Sequence, residues 1–172
     1  MDTVMWYIST AWPWLPLFGF VIYYTYQKYS WKGIVILVGG AGLCILLADR
    51  ISVMAFKEVF QRYRPTHNTE IGDLVHTVLK PNGEEYRGGL YGFVSSHAAN
   101  YGAIATYLFF LFRKFSKWWW LLFFWAALIA YSRVYLGVHY PADIFCGGLL
   151  GFAIGMGVYQ GAKRLLPEKQ IT

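Results

Sequence analysis

The sequence predicts an all-α integral membrane bundle of about five transmembrane helices. Composition is the first reason: 57% of the residues are hydrophobic, 14% are charged, and the mean hydropathy is +0.38. A soluble domain carries about 25% charged residues. The second reason is patterning. The apolar residues gather into stretches close to the roughly 20 that a helix needs to cross a bilayer. They occupy residues 12–26, 33–56, 94–112, 118–136 and 144–166. A chain of 172 residues is read as one domain, 1–172.

Taken in order, the first stretch contains Pro13 and Pro16. The first turn of a helix tolerates proline, so the span is expected to start at them, with residues 2–11 at the interface. No basic segment precedes an apolar one, as a cleavable signal peptide requires. The chain opens so abruptly on a span that an N-terminal element is expected to be missing. The second stretch carries Asp49 and Arg50, each costing on the order of 3 kcal/mol or more inside a membrane. Helical phase turns both toward the face of Lys57, and they are expected as a buried structural pair. The fourth stretch opens on Trp118, Trp119 and Trp120 beside Arg113, Lys114 and Lys117, which reads as an interfacial aromatic belt. Cys44 and Cys146 lie within spans and read as small apolar fillers.

Charge in the short loops sets the orientation. With the N-terminus outside, Lys28, Lys32, Arg113, Lys114, Lys117, Lys163, Arg164 and Lys169 fall inside, as the positive-inside rule requires. The outer segment 57–92 offsets its basic residues with Glu58, Glu70, Asp73, Glu84 and Glu85. The net charge of +6 therefore sits largely at the inner face, where it suits anionic lipid and not nucleic acid. The one break in composition is the polar loop 62–92, with turn signals at Pro81-Asn82-Gly83 and Gly88-Gly89. A loop of that length reads as a lid or binding element.

Three short motifs fall at span ends on the outer side. Lys57 and Arg64 are seven residues apart, close to two helical turns, so they are expected on one face with a rise of roughly 10 Å, the helix ending at Pro65. Two cations there can clamp a phosphate. Ser95-Ser96-His97 opens the third span: a serine N-cap leaves the first backbone N–H groups free to meet an anion, with His97 in the same turn. Ser132 and Arg133 close the fourth span, Gly137 permits a turn, and Pro141 suits the next first turn. His139 and Asp143 are four apart, so the carboxylate can hold one ring nitrogen and leave the other to attack. Singly, these motifs read as snorkelling cations, a helix cap, and an acid favoured by a helix dipole. Together on one face they fill every role of a phosphoryl-transfer site.

These residues resemble the type 2 phosphatidic acid phosphatases, the PAP2 superfamily, whose pattern is K-x6-RP, then PSGH, then SR-x5-H-x3-D. The chain supplies Lys57 with Arg64-Pro65, then Ser95 and His97, then Ser132-Arg133, His139 and Asp143. The resemblance covers roughly residues 57–151. Val94 and Ser96 stand where the family has proline and glycine, and the chain shows five spans where the family has six, the sixth expected at the N-terminus. The resemblance implies that His139 is the nucleophile, that Asp143 orients it, and that His97 is the acid and base. Lys57, Arg64, Arg133, Ser95 and the Ser96 amide would hold the phosphoryl oxygens. It implies no metal or other cofactor; His67 and His76 read as surface histidines. The implied substrate is a lipid phosphate or diphosphate, with undecaprenyl diphosphate, phosphatidylglycerophosphate, phosphatidate and lipid A 1-phosphate as candidates, in the inner membrane with the site facing the periplasm. Membrane lipids are the expected partners, with no protein partner. A small transporter leaves the spacings unexplained, and a non-catalytic scaffold predicts a broken motif residue.

Overall fold

A computed structural model describes residues 1–80 and 82–166 of the chain; Pro81 and Lys169, both used above, lie outside the described residues. The helices are α1 (Asp2–Ser9), α2 (Leu15–Ile51), α3 (Glu58–Phe60), α4 (Ser96–Phe112), α5 (Leu121–Tyr135) and α6 (Pro141–Ala162). A 3-10 turn over Trp12–Trp14 leads into α2 and leaves Pro16 in its first turn, where a missing N–H costs nothing.

The first two apolar stretches both lie in α2, which is broken at Ser30 (φ 63, ψ −171). Before the break, Trp14 packs against Trp125 and Tyr24 against Trp119. After it, Tyr107 Oη donates to the Ile36 carbonyl at 2.9 Å, and Ser52 meets Ser96 at the N-terminus of α4. The two halves therefore run antiparallel, down beside α5 and back up beside α4. Past Ile51 the chain continues as a π-helical segment, Ser52–Lys57, and then α3. It stops at Gln61, whose left-handed backbone (φ 45, ψ 32) no helix accommodates. The fifth stretch begins earlier than its apolar run, because Pro141 takes the first position of α6 and Asp143 caps its first turn.

α4 is the central helix, packed against α2, α5 and α6. Its contact with α6 is close because α6 is small there: a Cβ on Gly151 or Gly155 would collide with the carbonyl oxygens of Ala99 and Ala103. At the end of α4 remote from Ser96, Trp119 stacks on Phe112 with centroids 4.6 Å apart, and Tyr29 donates to the Leu111 carbonyl at 3.0 Å. Trp119 is thus a core residue and not part of an aromatic belt, whereas Trp118 and Trp120 are exposed. Apolar side chains also face outward, among them Leu46, Phe124, Phe145 and Leu149. By length and hydropathy, the broken stretch Trp12–Phe60 and Pro141–Ala162 qualify as membrane spans, while α4 and α5 are shorter at 17 and 15 residues. Cys44 and Cys146 are free thiols within α2 and α6.

The polar loop is tied down at both sides. Its strands β1 (Val78–Leu79) and β2 (Glu85–Tyr86) pair antiparallel. Val78 packs on Leu136 and Val138 in the α5–α6 turn, and α1 sets Trp6 edge-on to Tyr86 at 4.9 Å. That turn depends on Gly137, at φ 70. Gly151→Ala should lower stability by roughly 1–3 kcal/mol through overpacking, read as an earlier thermal melt in detergent. Gly148→Ala, where a Cβ meets nothing within 4 Å, is the control; equal melts for the two variants would refute close α4–α6 packing.

Candidate active site

The N-terminus of α4 is the floor of the site. Ser95 is its N-cap, with Oγ accepting from the Ala98 N–H at 3.4 Å. The Ser95 N–H donates to the Asp143 carbonyl at 3.0 Å, which joins the second and third motifs through the backbone. The first amides of α4, Ser96 and His97, belong to the group that has no acceptor within the helix. His97 lies within electrostatic reach of Lys57, Arg64, Arg133 and His139, so the histidines and the cations gather at one end of the bundle.

The third motif wraps the next side. Arg133 ends α5, the chain reverses at Leu136-Gly137, and His139 stands just before α6. It does not share a helical face with Asp143, as four-residue spacing suggested, because Pro141 starts the helix after it. The pair still meets, since Asp143 lies in the first turn: His139 Nδ1 is 3.4 Å from Asp143 Oδ2, which also accepts the Tyr140 N–H at 2.9 Å. Asp143 is wholly buried and His139 nearly so. Burial pushes the His139 imidazole down to about 4; the Asp143 hydrogen bond works against this, and Arg64 and Arg133 add to it. The ring is therefore neutral at ordinary pH, with Nδ1 facing the carboxylate and, among the described residues, no hydrogen bond to Nε2.

The first motif corrects the helical reading. Lys57 and Arg64 do not share a helix face, because the helix stops at Phe60 and Arg64 is extended (φ −65, ψ 157) ahead of Pro65. Arg64 reaches the site from the loop, buried, with Nε donating to the Tyr91 carbonyl at 3.2 Å. Lys57 reaches it from the π segment, donating to Ser96 Oγ at 2.6 Å, and Ser96 Oγ lies 2.8 Å from Ser52 Oγ. The wider π turn explains the partnership: residues five apart, such as Ser52 and Lys57, come to one side of it.

Each of the three cations is held by a neutral oxygen: Lys57 by Ser96, Arg64 by Tyr91, and Arg133 by Tyr86 Oη at 2.6 Å. Among the described residues none of them forms an ion pair, and Arg133 Nε is buried with no partner. Three clustered cations beside a helix N-terminus form an arrangement whose field would favour an anion.

Sequence reasoning missed Arg62, Tyr86 and Ser52. Arg62 pairs with Asp143 at 3.2 Å. Its only sequence signal was its nearness to Arg64; Tyr86 and Ser52 had none, since loop and bulge geometry places them. Asp49 and Arg50 are both exposed, so the expected buried pair does not form; Asp49 instead accepts from Asn100 Nδ2 at 3.2 Å. His76 contacts Asp2 at 3.3 Å, and His67 lies on the loop surface 3.5 Å from the Gly88 carbonyl.

A model of the PAP2 superfamily matches residues 35–166, a span that holds all three motifs. The chain belongs to the PAP2 superfamily. It is 36% identical over 163 residues to a lipid A 4'-phosphatase of Porphyromonas gingivalis, covering 93% of this chain and 65% of that protein. It is 35% identical to a lipid A 4'-phosphatase of Bacteroides thetaiotaomicron, covering 91% and 68%. The chain thus spans about two thirds of the length of these curated relatives. A crystal structure of a transmembrane PAP2 type phosphatidylglycerolphosphate phosphatase from Bacillus subtilis matches with a TM-score of 0.62 at 22% identity, over 99% of this chain and 79% of that one. With these matches and its apolar helices, this PAP2 protein is a helical membrane protein. Tyr86→Phe removes the hydroxyl that holds Arg133. A hydrogen bond to a charged group contributes about 1.5–3 kcal/mol, so vanadate should bind roughly 10- to 100-fold more weakly by calorimetry; unchanged affinity would refute that role.

Proposed function

We propose that the protein hydrolyses a phosphate ester on a membrane lipid, of the lipid A 4'-phosphate kind, through a phosphohistidine. The observation that carries the reading is the gathering of a buried, carboxylate-backed His139 with three cations that form no ion pair among the described residues. The choice of lipid is supported by the two curated relatives, which are named for that substrate.

In the first step His139 Nε2 attacks phosphorus while the bond to the lipid oxygen breaks. His97 donates a proton to that oxygen, and Asp143 steadies the charge that develops on His139. In the second step His97 takes a proton from water, the water oxygen bonds to phosphorus, and the P–N bond breaks to release orthophosphate and neutral His139. Lys57, Arg64, Arg133, Ser95 and the Ser96 amide hold the three equatorial oxygens, the usual electrostatic burden of phosphoryl transfer. The cations do this without a metal.

Five crossings follow if each half of α2, α4, α5 and α6 spans once. Lys28 and Lys114 both lie against Phe115, at the end of the bundle away from the site. The positive-inside rule then turns the site to the periplasm of an inner membrane, with the loop 62–92 over it.

Purified protein in detergent with a chelator should release phosphate fastest from lipid A 4'-phosphate, when compared with undecaprenyl diphosphate, phosphatidylglycerophosphate, phosphatidate and lipid A 1-phosphate. Release that requires added metal would overturn the mechanism. His139→Ala should abolish turnover while the lipid still binds; normal turnover by that variant would remove His139 as nucleophile. The pH profile of kcat/KM reports the free enzyme. His139 is depressed to about 4, so attack is available above that pH and is lost as pH falls through it. An acid limb near the ordinary histidine value would contradict this.

A further inference from the structure

Arg62 stands at a variable position of the first motif, yet it touches the buried acid of the third. Its Nη1 donates to Asp143 Oδ1 at 3.2 Å, and its guanidinium lies 4.3 Å over the Tyr140 ring. Its side chain is 42% exposed against 0% for Asp143, so it joins the surface to the centre of the site. The approach is built into the loop. The Gly92 N–H donates to the Arg62 carbonyl at 2.9 Å, and Tyr63 bridges to Tyr91 beside it. Asn68 holds the Tyr140 hydroxyl at 3.2 Å, so the ring beneath Arg62 is fixed as well.

The two oxygens of Asp143 are divided between different tasks. Oδ2 accepts the Tyr140 N–H and faces His139, while among the described residues Oδ1 has Arg62 alone. A carboxylate can rotate about its Cβ–Cγ bond. Without a partner on Oδ1, a fully buried charge would turn to find one, and leaving it unpaired is costly.

We propose that Arg62 is a positioning residue for phosphoryl transfer: it pins Oδ1 so that Oδ2 stays on His139, and it tempers the pull of that carboxylate on the imidazole. This rests on His139 being the nucleophile. Among the described residues, the other charged or titratable groups facing His139 are Arg64 from the loop, Arg133 from α5, His97 from α4 and Asp143 from α6. Among the described residues, Arg62 is the cation that acts on it through the carboxylate. Its removal leaves the full negative charge of Asp143 beside His139, which favours the imidazolium and moves the titration upward.

The test is an NMR titration of the histidine side chains in the full chain in detergent, with His139 assigned from a His139→Gln spectrum. Arg62→Gln should raise the His139 midpoint by about one unit, and Arg62→Lys should return it toward wild type. Turnover of the same lipid phosphate should fall about tenfold in kcat for Arg62→Gln, with the acid limb of kcat/KM shifted in step and KM little changed. An unmoved His139 titration would overturn the proposal, as would a loss of kcat with no shift, since that marks a merely structural residue. A shifted titration in a protein that releases no phosphate would uphold the hold of Arg62 on Asp143 and refute the phosphatase reading instead.

Discussion

A single fully buried carboxylate organises this end of the bundle. Asp143 has no access to water, so its oxygens must be met by protein donors, and those donors come from separate parts of the chain. The Tyr140 N–H and His139 lie just upstream, and Arg62 comes from the loop. The backbone carbonyl of Asp143 adds a further tie, accepting from Ser95 at the start of α4. Loop, α4 and α6 are thus locked around one residue. That requirement is met only if the loop lies over the helix ends.

The packing below makes the lock possible. Small residues on α4 and α6 let the two backbones approach, which sets their N-termini side by side. The break at Ser30 and the π turn then return α2 to the same end, so that Ser52 and Lys57 face Ser96. Lys57, Arg64 and Arg133 are collected there and supported by hydroxyl and carbonyl oxygens, and among the described residues none of the three forms a direct ion pair. Such crowding of like charge is unfavourable, and an anion placed among these side chains would relieve it.

Much of this was legible in the residues. Hydropathy located the apolar stretches, and their boundaries moved where capping outranked it, as at Pro141, and where the chain stayed helical between stretches, as around Ser30. The three motifs predicted a gathering of the residues that the fold does bring together. The failures share a cause. Lys57 and Arg64 were placed on one helix because spacing assumes that a helix continues, and Gln61 ends it with a left-handed backbone that composition does not announce. Trp119 was read as belt although neighbouring Trp118 and Trp120 do face outward, because one position in three is turned onto Phe112 by packing. Asp49 and Arg50 were read as a pair because both are charged, but Asp49 found Asn100 on another helix.

The sequence by itself determined the helical membrane class, the ends of the bundle at which charge concentrates, and the residue types that handle phosphate. These are local properties, fixed by side-chain polarity and by spacing along the chain. Only the tertiary structure decided that Arg64 arrives from a loop, that a π turn aims Lys57, and that Arg62 meets Asp143 and Tyr86 meets Arg133. Those positions depend on backbone reversals and on contacts between segments far apart in the chain, and a linear pattern carries no distance between such segments.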